Sequence, residues 1–240
     1  MNVSTGNLAL FVLFAPLAVS ALLMLAAPLR RSGRPAALLS VLTALLSLGG
    51  ALSLFSELFG PAGPELGRMT TTWLPHARLG LEAGASPIEL GILLDGLSVS
   101  MLVVVCFVAA MVQIFSLGYL ADEKPEDFGR YFTWQSLFLF AMSSLVLAPN
   151  LLQLFLGWEL VGLASYLLIG FYYRKPSAGR AAVKAFWLTK LADIGLITAL
   201  IVLFRETGGF EWTAVTAAAG TITTLLFVAV MGKSAQFPLH

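Results

Sequence analysis

Apolar residues in this sequence form long runs that contain few charges and are separated by short polar or Pro- and Gly-containing segments. Each run is close to the ~20 residues that an α-helix needs to cross about 30 Å of hydrocarbon. The pattern predicts an all-α integral membrane protein with about seven transmembrane helices. The predicted spans are Leu8 to Leu29, Pro35 to Phe55, Ile92 to Leu120, Tyr131 to Ala148, Asn150 to Tyr172, Arg180 to Phe204 and Ala214 to about Leu239.

The longest loop, Ser56 to Leu90, separates the second and third predicted spans and is rich in proline and glycine. Within it, Thr70 to Trp73 combines threonines with an aromatic residue, a composition that favours strand. We therefore predict a short hairpin outside the membrane in this loop. The N-terminal part of the chain, residues 1–91, is predicted to hold the first two helices and this loop.

The distribution of Lys and Arg indicates the orientation, since these residues in short loops favour the cytoplasmic side. Two basic clusters lie four predicted crossings apart, and therefore on one side of the membrane. The clusters are Arg30, Arg31 and Arg34, and Arg174, Lys175 and Arg180. The N-terminus and the hairpin loop are thus predicted to be extracytoplasmic. Because Met1 to Asn7 carries no Lys or Arg, we interpret the first run as a retained span and not as a signal peptide.

The composition narrows the classes of function. The chain is 58% hydrophobic and 11% charged, whereas soluble domains carry about 25% charged residues. A net charge of +1 provides no basic surface for nucleic acid. Cys106 is the only cysteine, and neither His76 nor His240 has a second ligand at helical spacing. The sequence therefore predicts no nucleic-acid binding, and no metal or other cofactor within this chain.

Glu159 lies near the middle of the fifth predicted span, among apolar residues and glycines. A charged carboxylate at the centre of a bilayer costs at least about 2.5 kcal/mol to insert, so that it must face a protein or water-lined interior. Intramembrane carboxylates commonly relay protons or ions, which makes Glu159 a candidate relay group. The alternative is a structural role, in which Glu159 forms a polar contact that holds two helices together.

The sixth predicted span carries Lys184, Lys190 and Asp193. Lys190 and Asp193 are three residues apart, on one helix face, where they can neutralise each other. A pair that opens and closes can pass a proton, whereas a permanently closed pair serves only membrane insertion. Lys184 lies one turn from the inner end of the span, and for this residue the alternative is a lysine that snorkels to water.

Gly232 and Pro238 flank Lys233 near the end of the seventh predicted span. Pro238 cannot donate a backbone hydrogen bond, and the pattern predicts a discontinuous helix at this point. Transporters place ion sites at such helix breaks, which makes Lys233 a candidate proton carrier. The alternative is a lysine that reaches the membrane interface from a helix end.

Several segments, in order from about Ile92 to the last residue, resemble the antiporter-like family of membrane subunits. Subunit L of bacterial NADH-quinone oxidoreductase (respiratory complex I) and subunits of Mrp cation/proton antiporters belong to this family. The segments are Leu94 to Ser98 (Leu-Asp-Gly-Leu-Ser), Gly157 to Leu163 (Gly-Trp-Glu-Leu-Val-Gly-Leu), Ser165 to Tyr173, Lys184 to Phe186 (Lys-Ala-Phe) and Gly232 to His240 (Gly-Lys-Ser-Ala-Gln-Phe-Pro-Leu-His).

The resemblance implies a role for each charged residue of the spans. Glu159 resembles the glutamate of transmembrane helix five, Asp193 resembles its acidic partner in helix six, and Lys233 resembles the lysine of broken helix seven. Lys184 matches a helix-six lysine, and Lys190 stands where relatives often have arginine. In the family, a glutamate–lysine pair is understood to change its association and so to drive proton uptake or release.

The resemblance also implies a setting for the chain. Residues 92–240 would hold the third helix and the start of a proton-translocating repeat, and family members continue beyond it, so we expect an N-terminal fragment. The implied setting is the membrane arm of an NADH-quinone oxidoreductase in a bacterial cell membrane, in contact with lipid and other membrane-arm subunits. NADH, FMN, iron–sulfur clusters and quinone would bind elsewhere in the complex. The alternative is a subunit of an Mrp-type Na⁺/H⁺ antiporter or a related ion-translocating complex.

Overall fold

The structure is a computed structural model that describes residues 3–60, 65–74, 87–217 and 219–237. The chain divides into two compact units. The first unit comprises Met1–Met69 and Ile92–Leu147, and the second unit comprises Thr70–Gly91 and Ala148–His240.

Helices account for most of the described residues, and two strands complete the regular structure. The elements are α1 (Val3–Leu25), α2 (Ala27–Arg31), α3 (Arg34–Leu58), β1 (Glu65–Leu74), β2 (Ile88–Asp95), α4 (Gly96–Tyr119), α5 (Pro125–Val146), α6 (Leu151–Ile169), α7 (Pro176–Thr207), α8 (Trp212–Ala217) and α9 (Ala219–Lys233).

The long helices α1, α3, α4 and α5 pack around the apolar core of the first unit. Leu54, Leu102 and Leu139 are among the side chains that this core buries completely or almost completely. The outward faces of the same helices expose other large apolar residues, such as Leu42 and Phe107. Helices that are apolar on all sides are typical of membrane spans, whose outer surface meets lipid.

Asp95 fixes the start of α4. Its side chain accepts a hydrogen bond from the Ser98 backbone N–H (2.7 Å), and Ser98 Oγ accepts one from the Asp95 backbone N–H (2.9 Å). This capping box satisfies backbone groups that a first helical turn leaves unpaired. The prediction that the third span begins at Ile92 is therefore wrong at its boundary, because Ile92 to Asp95 belong to strand β2.

The strands β1 and β2 pair in a two-stranded sheet. β1 contains Thr70 to Trp73, where the sequence predicted strand. The segment that would connect the two strands includes His76, which lies outside the described residues, as does His240 at the end of the chain.

In the second unit, side chains at the start of α6 form hydrogen bonds with the backbone of strand β2. Asn150 caps α6 by accepting a hydrogen bond from the Gln153 N–H (2.9 Å), and its amide group donates to the Glu89 carbonyl (2.7 Å). The Gln153 side chain donates to the Gly91 carbonyl (2.7 Å) and accepts from the Gly91 N–H (2.8 Å). These bonds fix the start of the helix that carries Glu159.

Small residues bring α9 close to α7. A Cβ atom on Gly195 would approach the Leu225 carbonyl oxygen to 2.7 Å, and one on Gly232 would overlap the side chain of Ala192. Helices in membranes associate closely where such small residues meet. The packing places the C-terminal end of α9 beside the middle of α7, where the charged residues of α7 lie.

α9 ends at Lys233 for a local backbone reason. Ala235 has a positive φ of 50°, and the Gln236 N–H donates to the Met231 carbonyl (3.0 Å). This is the Schellman pattern, in which a left-handed residue just beyond a helix closes its last turn. The helix that carries Lys233 therefore ends before Pro238, a residue outside the described part of the chain.

Five of the described helices are long and apolar enough to cross a membrane, namely α1, α3, α4, α6 and α7. This finding confirms the prediction of a helical membrane protein, but not the count of about seven spans. α5 carries Glu126, Asp127 and Arg130 in its first turns, and α9, with 15 residues, is shorter than the ~20 residues of a full span.

Candidate functional site

Three helices of the second unit bring charged side chains together. α6 contributes Glu159 from its middle, α7 contributes Lys190 and Asp193 from its middle, and α9 contributes Lys233 from its last turn. We call these four residues the charge cluster. Two carboxylates and two lysines balance each other in charge, which reduces the cost of placing them among apolar helices.

Lys190 lies between the two carboxylates of the cluster. Its ammonium group donates a hydrogen bond to Glu159 Oε2 and lies 3.5 Å from Asp193 Oδ2. The Lys190–Asp193 ion pair that the three-residue spacing predicted is therefore present. The side chains of Lys190 and Glu159 are 24% and 29% exposed, whereas that of Asp193 is 2% exposed. Lys190 is thus within ion-pairing distance of one partly exposed carboxylate and one buried carboxylate.

Asp193 is held from two sides. Its Oδ1 accepts a hydrogen bond of 2.6 Å from the indole Nε1–H of Trp158, and its Oδ2 faces Lys190. In the described part of the chain, Oδ2 accepts no hydrogen bond of normal geometry. A buried carboxylate with one firmly bound oxygen and one loosely paired oxygen has capacity left for a proton or a closer cation.

Lys233, the fourth member of the charge cluster, contacts Trp158 of α6. Its ammonium group donates to the Trp158 backbone carbonyl (2.9 Å) and lies 4.8 Å from the centre of the Trp158 ring. Gly162, one turn further along α6, leaves room for this approach: a Cβ atom there would lie 3.2 Å from Lys233 Nζ and 3.6 Å from Lys190 Nζ. The nitrogens of both lysines therefore lie against the same glycine.

Four of the five residues that the sequence proposed thus meet in one place, and Lys184 does not join them. Lys184 is exposed on α7, six residues before Lys190. Its exposure agrees with the alternative of a lysine that extends to water.

Sequence reasoning missed two residues that contact the cluster. Both Trp158 and Gly162 belong to the segment Gly157 to Leu163 that carries the family resemblance, but the sequence assigns neither of them a role at the site. A signal was available, because Trp158 precedes Glu159 and Gly162 follows Trp158 by one helical turn. What the sequence lacked was the information that the Lys233 side chain contacts α6 at this point.

Among the residues that the structure describes, no group of three or more His, Cys, Asp or Glu side chains comes together in a way that could hold a metal ion. The charge cluster instead combines ammonium donors with carboxylate and carbonyl acceptors.

The class of protein that these features define is a multi-pass membrane protein with an ionisable cluster among its helices. Two family models match the sequence. Residues 148–240 match the transmembrane family described as NADH:quinone oxidoreductase/Mrp antiporter, and residues 81–132 match the N-terminus of chain 5 of NADH-ubiquinone oxidoreductase (complex I).

Curated relatives agree with the family models. Over 184 residues, 67% of this chain, the sequence is 39% identical to NADH-quinone oxidoreductase subunit L of Neisseria meningitidis serogroup A, and it covers 27% of that protein. Over the whole chain it is 35% identical to subunit L of Mycobacterium tuberculosis, of which it covers 38%. The chain therefore spans about a quarter to two fifths of the length of these curated relatives.

A solved structure is also similar. The Mrp complex from Dietzia sp. DQ12-45-1b matches 97% of this chain with a TM-score of 0.71 and 27% identity, and the match covers 24% of that chain. Together, the family models, the relatives and this structure establish the family. The chain belongs to the family of membrane subunits that NADH:quinone oxidoreductase and Mrp antiporters share.

Proposed function

We propose that this chain is part of a proton-translocating membrane subunit of a respiratory NADH-quinone oxidoreductase. The observation that carries the proposal is the charge cluster, in which Lys190 lies between Glu159 and Asp193 at mid-helix. An ion pair whose role is only to stabilise the fold needs one partner for each charge. A lysine within ion-pairing distance of two carboxylates can pair with either of them, which is what a relay requires.

The proposed relay works by partner exchange. While Lys190 binds Glu159, the Glu159 carboxylate is stabilised in its charged form. When Lys190 moves to Asp193, Glu159 loses this cation and takes up a proton, because an uncompensated carboxylate at membrane depth is costly. The return of Lys190 expels that proton. Lys233, against the same glycine, is the proposed next carrier.

The energy for this exchange would come from outside the chain. We propose that NADH, FMN, iron–sulfur clusters and quinone bind to other subunits of the complex, and that other membrane-arm subunits contact this one. The proposed location is a bacterial cell membrane, with the N-terminus on the extracytoplasmic side, as the basic clusters at residues 30–34 and 174–180 suggest.

A subunit of an Mrp-type Na⁺/H⁺ antiporter is the second candidate, favoured by the similarity to the Mrp complex over 97% of the chain. The same cluster could exchange protons in either assembly. The first candidate is preferred because curated relatives at 35–39% identity bear the name of the oxidoreductase subunit.

The test is proton uptake by membrane vesicles that contain the full-length subunit in its assembled complex. Glu159→Gln and Lys233→Ala each remove one titratable group and should abolish most NADH-driven proton uptake. Glu206→Gln, at an exposed position in the last turn of α7, and Lys124→Ala, before α5, are the matched controls and should leave uptake unchanged.

The outcomes separate the candidates. Unchanged rate and stoichiometry in both cluster variants would contradict the relay. Proton uptake that depends on sodium and continues without NADH, and that both cluster variants abolish, would instead favour the antiporter.

A further inference from the structure

Trp158 contacts both sides of the charge cluster with different parts of one residue. Its indole N–H donates to Asp193 Oδ1 (2.6 Å), its backbone carbonyl accepts from Lys233 Nζ (2.9 Å), and its ring lies 4.8 Å from the same nitrogen. Asp193 belongs to α7 and Lys233 to α9. The residue on α6 therefore connects an acidic group and a basic group from two other helices.

The contact with Lys233 depends on the residue one turn later. In an α-helix the Trp158 carbonyl accepts the backbone N–H of Gly162, and its second lone pair is open only if no side chain covers it. Gly162 has no side chain, and the position of a Cβ atom there is 3.2 Å from Lys233 Nζ. The glycine thus opens the carbonyl to a second donor.

The ring orientation depends on Asp193. Trp has the aromatic side chain that binds a cation most strongly, but only when the cation lies over its face. The bond from the indole N–H to a carboxylate that is 2% exposed fixes that face toward Lys233. A charge-assisted bond of this kind is short and directional.

We propose that Trp158 is a positioning residue that links the Lys233 ammonium to the Asp193 carboxylate, with Gly162 holding the approach to its carbonyl open. The inference rests on the proposed proton translocation and deepens it, since the position of Lys233 then responds to the partner that Asp193 binds. The charged groups nearest Lys233 are Lys190 and Asp193 from α7 and, through Lys190, Glu159 from α6. α8 contributes no ionisable side chain.

Trp158→Phe keeps an aromatic ring and the backbone carbonyl but removes the N–H that binds Asp193. In vesicles with the assembled complex, we expect proton uptake to fall about tenfold, the loss expected for a hydrogen bond to a charged group. Trp187→Phe is the matched control, because Trp187 is 63% exposed on α7, and its uptake should stay within about twofold of the parent.

Gly162→Ala is an independent variant that favours helix formation but places a methyl group 3.2 Å from Lys233 Nζ, closer than ordinary van der Waals contact. A purely structural role predicts normal or better stability with unchanged uptake. The proposed role predicts normal stability with about tenfold lower uptake, because the methyl group displaces Lys233 Nζ and weakens its bond to the Trp158 carbonyl. Gly179→Ala, at a helical position with open space around it, is the control.

A readout independent of transport separates this inference from the proposed function. In the purified complex, Lys233 should react with an amine-acylating reagent several-fold faster in both variants than in the parent, as measured by peptide mass spectrometry. Combining Trp158→Phe with Asp193→Ala should give no further increase over the larger single effect, because both changes break the same bond.

Unchanged Lys233 reactivity in both variants overturns the link, whatever the transport result. Independent, multiplicative effects of Trp158→Phe and Asp193→Ala overturn it as well. If Lys233 is acylated faster in both variants but Glu159→Gln leaves proton uptake unchanged, the link is supported and the proposed relay is contradicted.

Discussion

Both units place polar side chains among apolar helices, but a network in the first unit consists of neutral groups, whereas the cluster in the second unit consists of charged ones. In the first unit, Ser40 Oγ donates to Gln113 Oε1 (2.9 Å) and lies 2.6 Å from Ser136 Oγ. These three side chains come from α3, α4 and α5 and are 1% exposed or less. In the second unit, the side chains that meet between helices include Glu159, Lys190 and Asp193.

Neutral and charged side chains differ in the free energy that it costs to place them among apolar helices, and this difference indicates which of the two sets has a role beyond stability. Neutral groups that bond to each other inside a protein cost little and fix the orientation of helices. Buried charges carry a desolvation cost of several kcal/mol, and apolar replacements often give equal or better stability. Four charged residues that meet among apolar helices are therefore poorly explained by stability alone. The neutral serine–glutamine network carries no comparable desolvation cost, although among the described residues the Gln113 Nε2 amide has no hydrogen-bond partner.

The largest expected effect is the loss of the shared cation. Lys190→Met leaves Glu159 and Asp193 without their common partner, and removal of one member of a buried pair costs about 3 kcal/mol. Combining Lys190→Met with Glu159→Gln also removes one of the two carboxylates that lost their cation and should recover part of that loss, because Asp193 still lacks Lys190. The melting temperature of the purified protein in detergent measures both effects.

The double variant should not recover proton transport, even though it recovers part of the stability. If the double variant were as stable as the parent and also translocated protons, the charges would serve only to pair with each other. The charges of the second unit would then have the same purely structural role as the neutral network of the first unit.

A smaller effect is expected in the first unit. Ser40→Ala leaves Gln113 Oε1 and Ser136 Oγ with one partner fewer, at a cost of about 1–2 kcal/mol, and should leave proton uptake per assembled complex unchanged. Ser53→Ala, at an exposed position on the same helix, should change neither quantity. Loss of uptake in Ser40→Ala at normal stability would show that the neutral network also takes part in transport.

The smallest effect concerns the backbone beyond Lys233. Among the described residues, positive φ angles in the first unit belong to glycines, whereas the second unit has Ala235 at a φ of 50°. Ala235→Gly should raise stability by no more than about 1 kcal/mol, because glycine adopts this conformation without steric cost. Ala229→Gly, in the interior of α9, should lower it by at least about 1 kcal/mol. A destabilised Ala235→Gly would contradict the assigned helix end.

Much of the architecture could be predicted because it depends on local pattern. The apolar runs predicted the positions of α1, α3, α6 and α7, and the charges within those runs identified Glu159, Lys190 and Asp193 as unusual. Boundaries were less predictable where two local patterns overlap. Ile92 to Leu94 are apolar enough to continue a span, but the capping box of Asp95 and Ser98 starts the helix after them.

Hydrophobic length and the cost of a charge are properties of each segment of the chain, and they were enough to predict a helical membrane protein with ionisable groups among its spans. The partners of those groups, in contrast, follow from the packing of the helices. Lys190 binds Glu159 from 31 residues away, and Lys233 binds the Trp158 carbonyl from 75 residues away. The physical reason is that such contacts depend on where helices cross, and the crossing of α9 near α6 and α7 is set by small residues whose effect appears only when the helices pack.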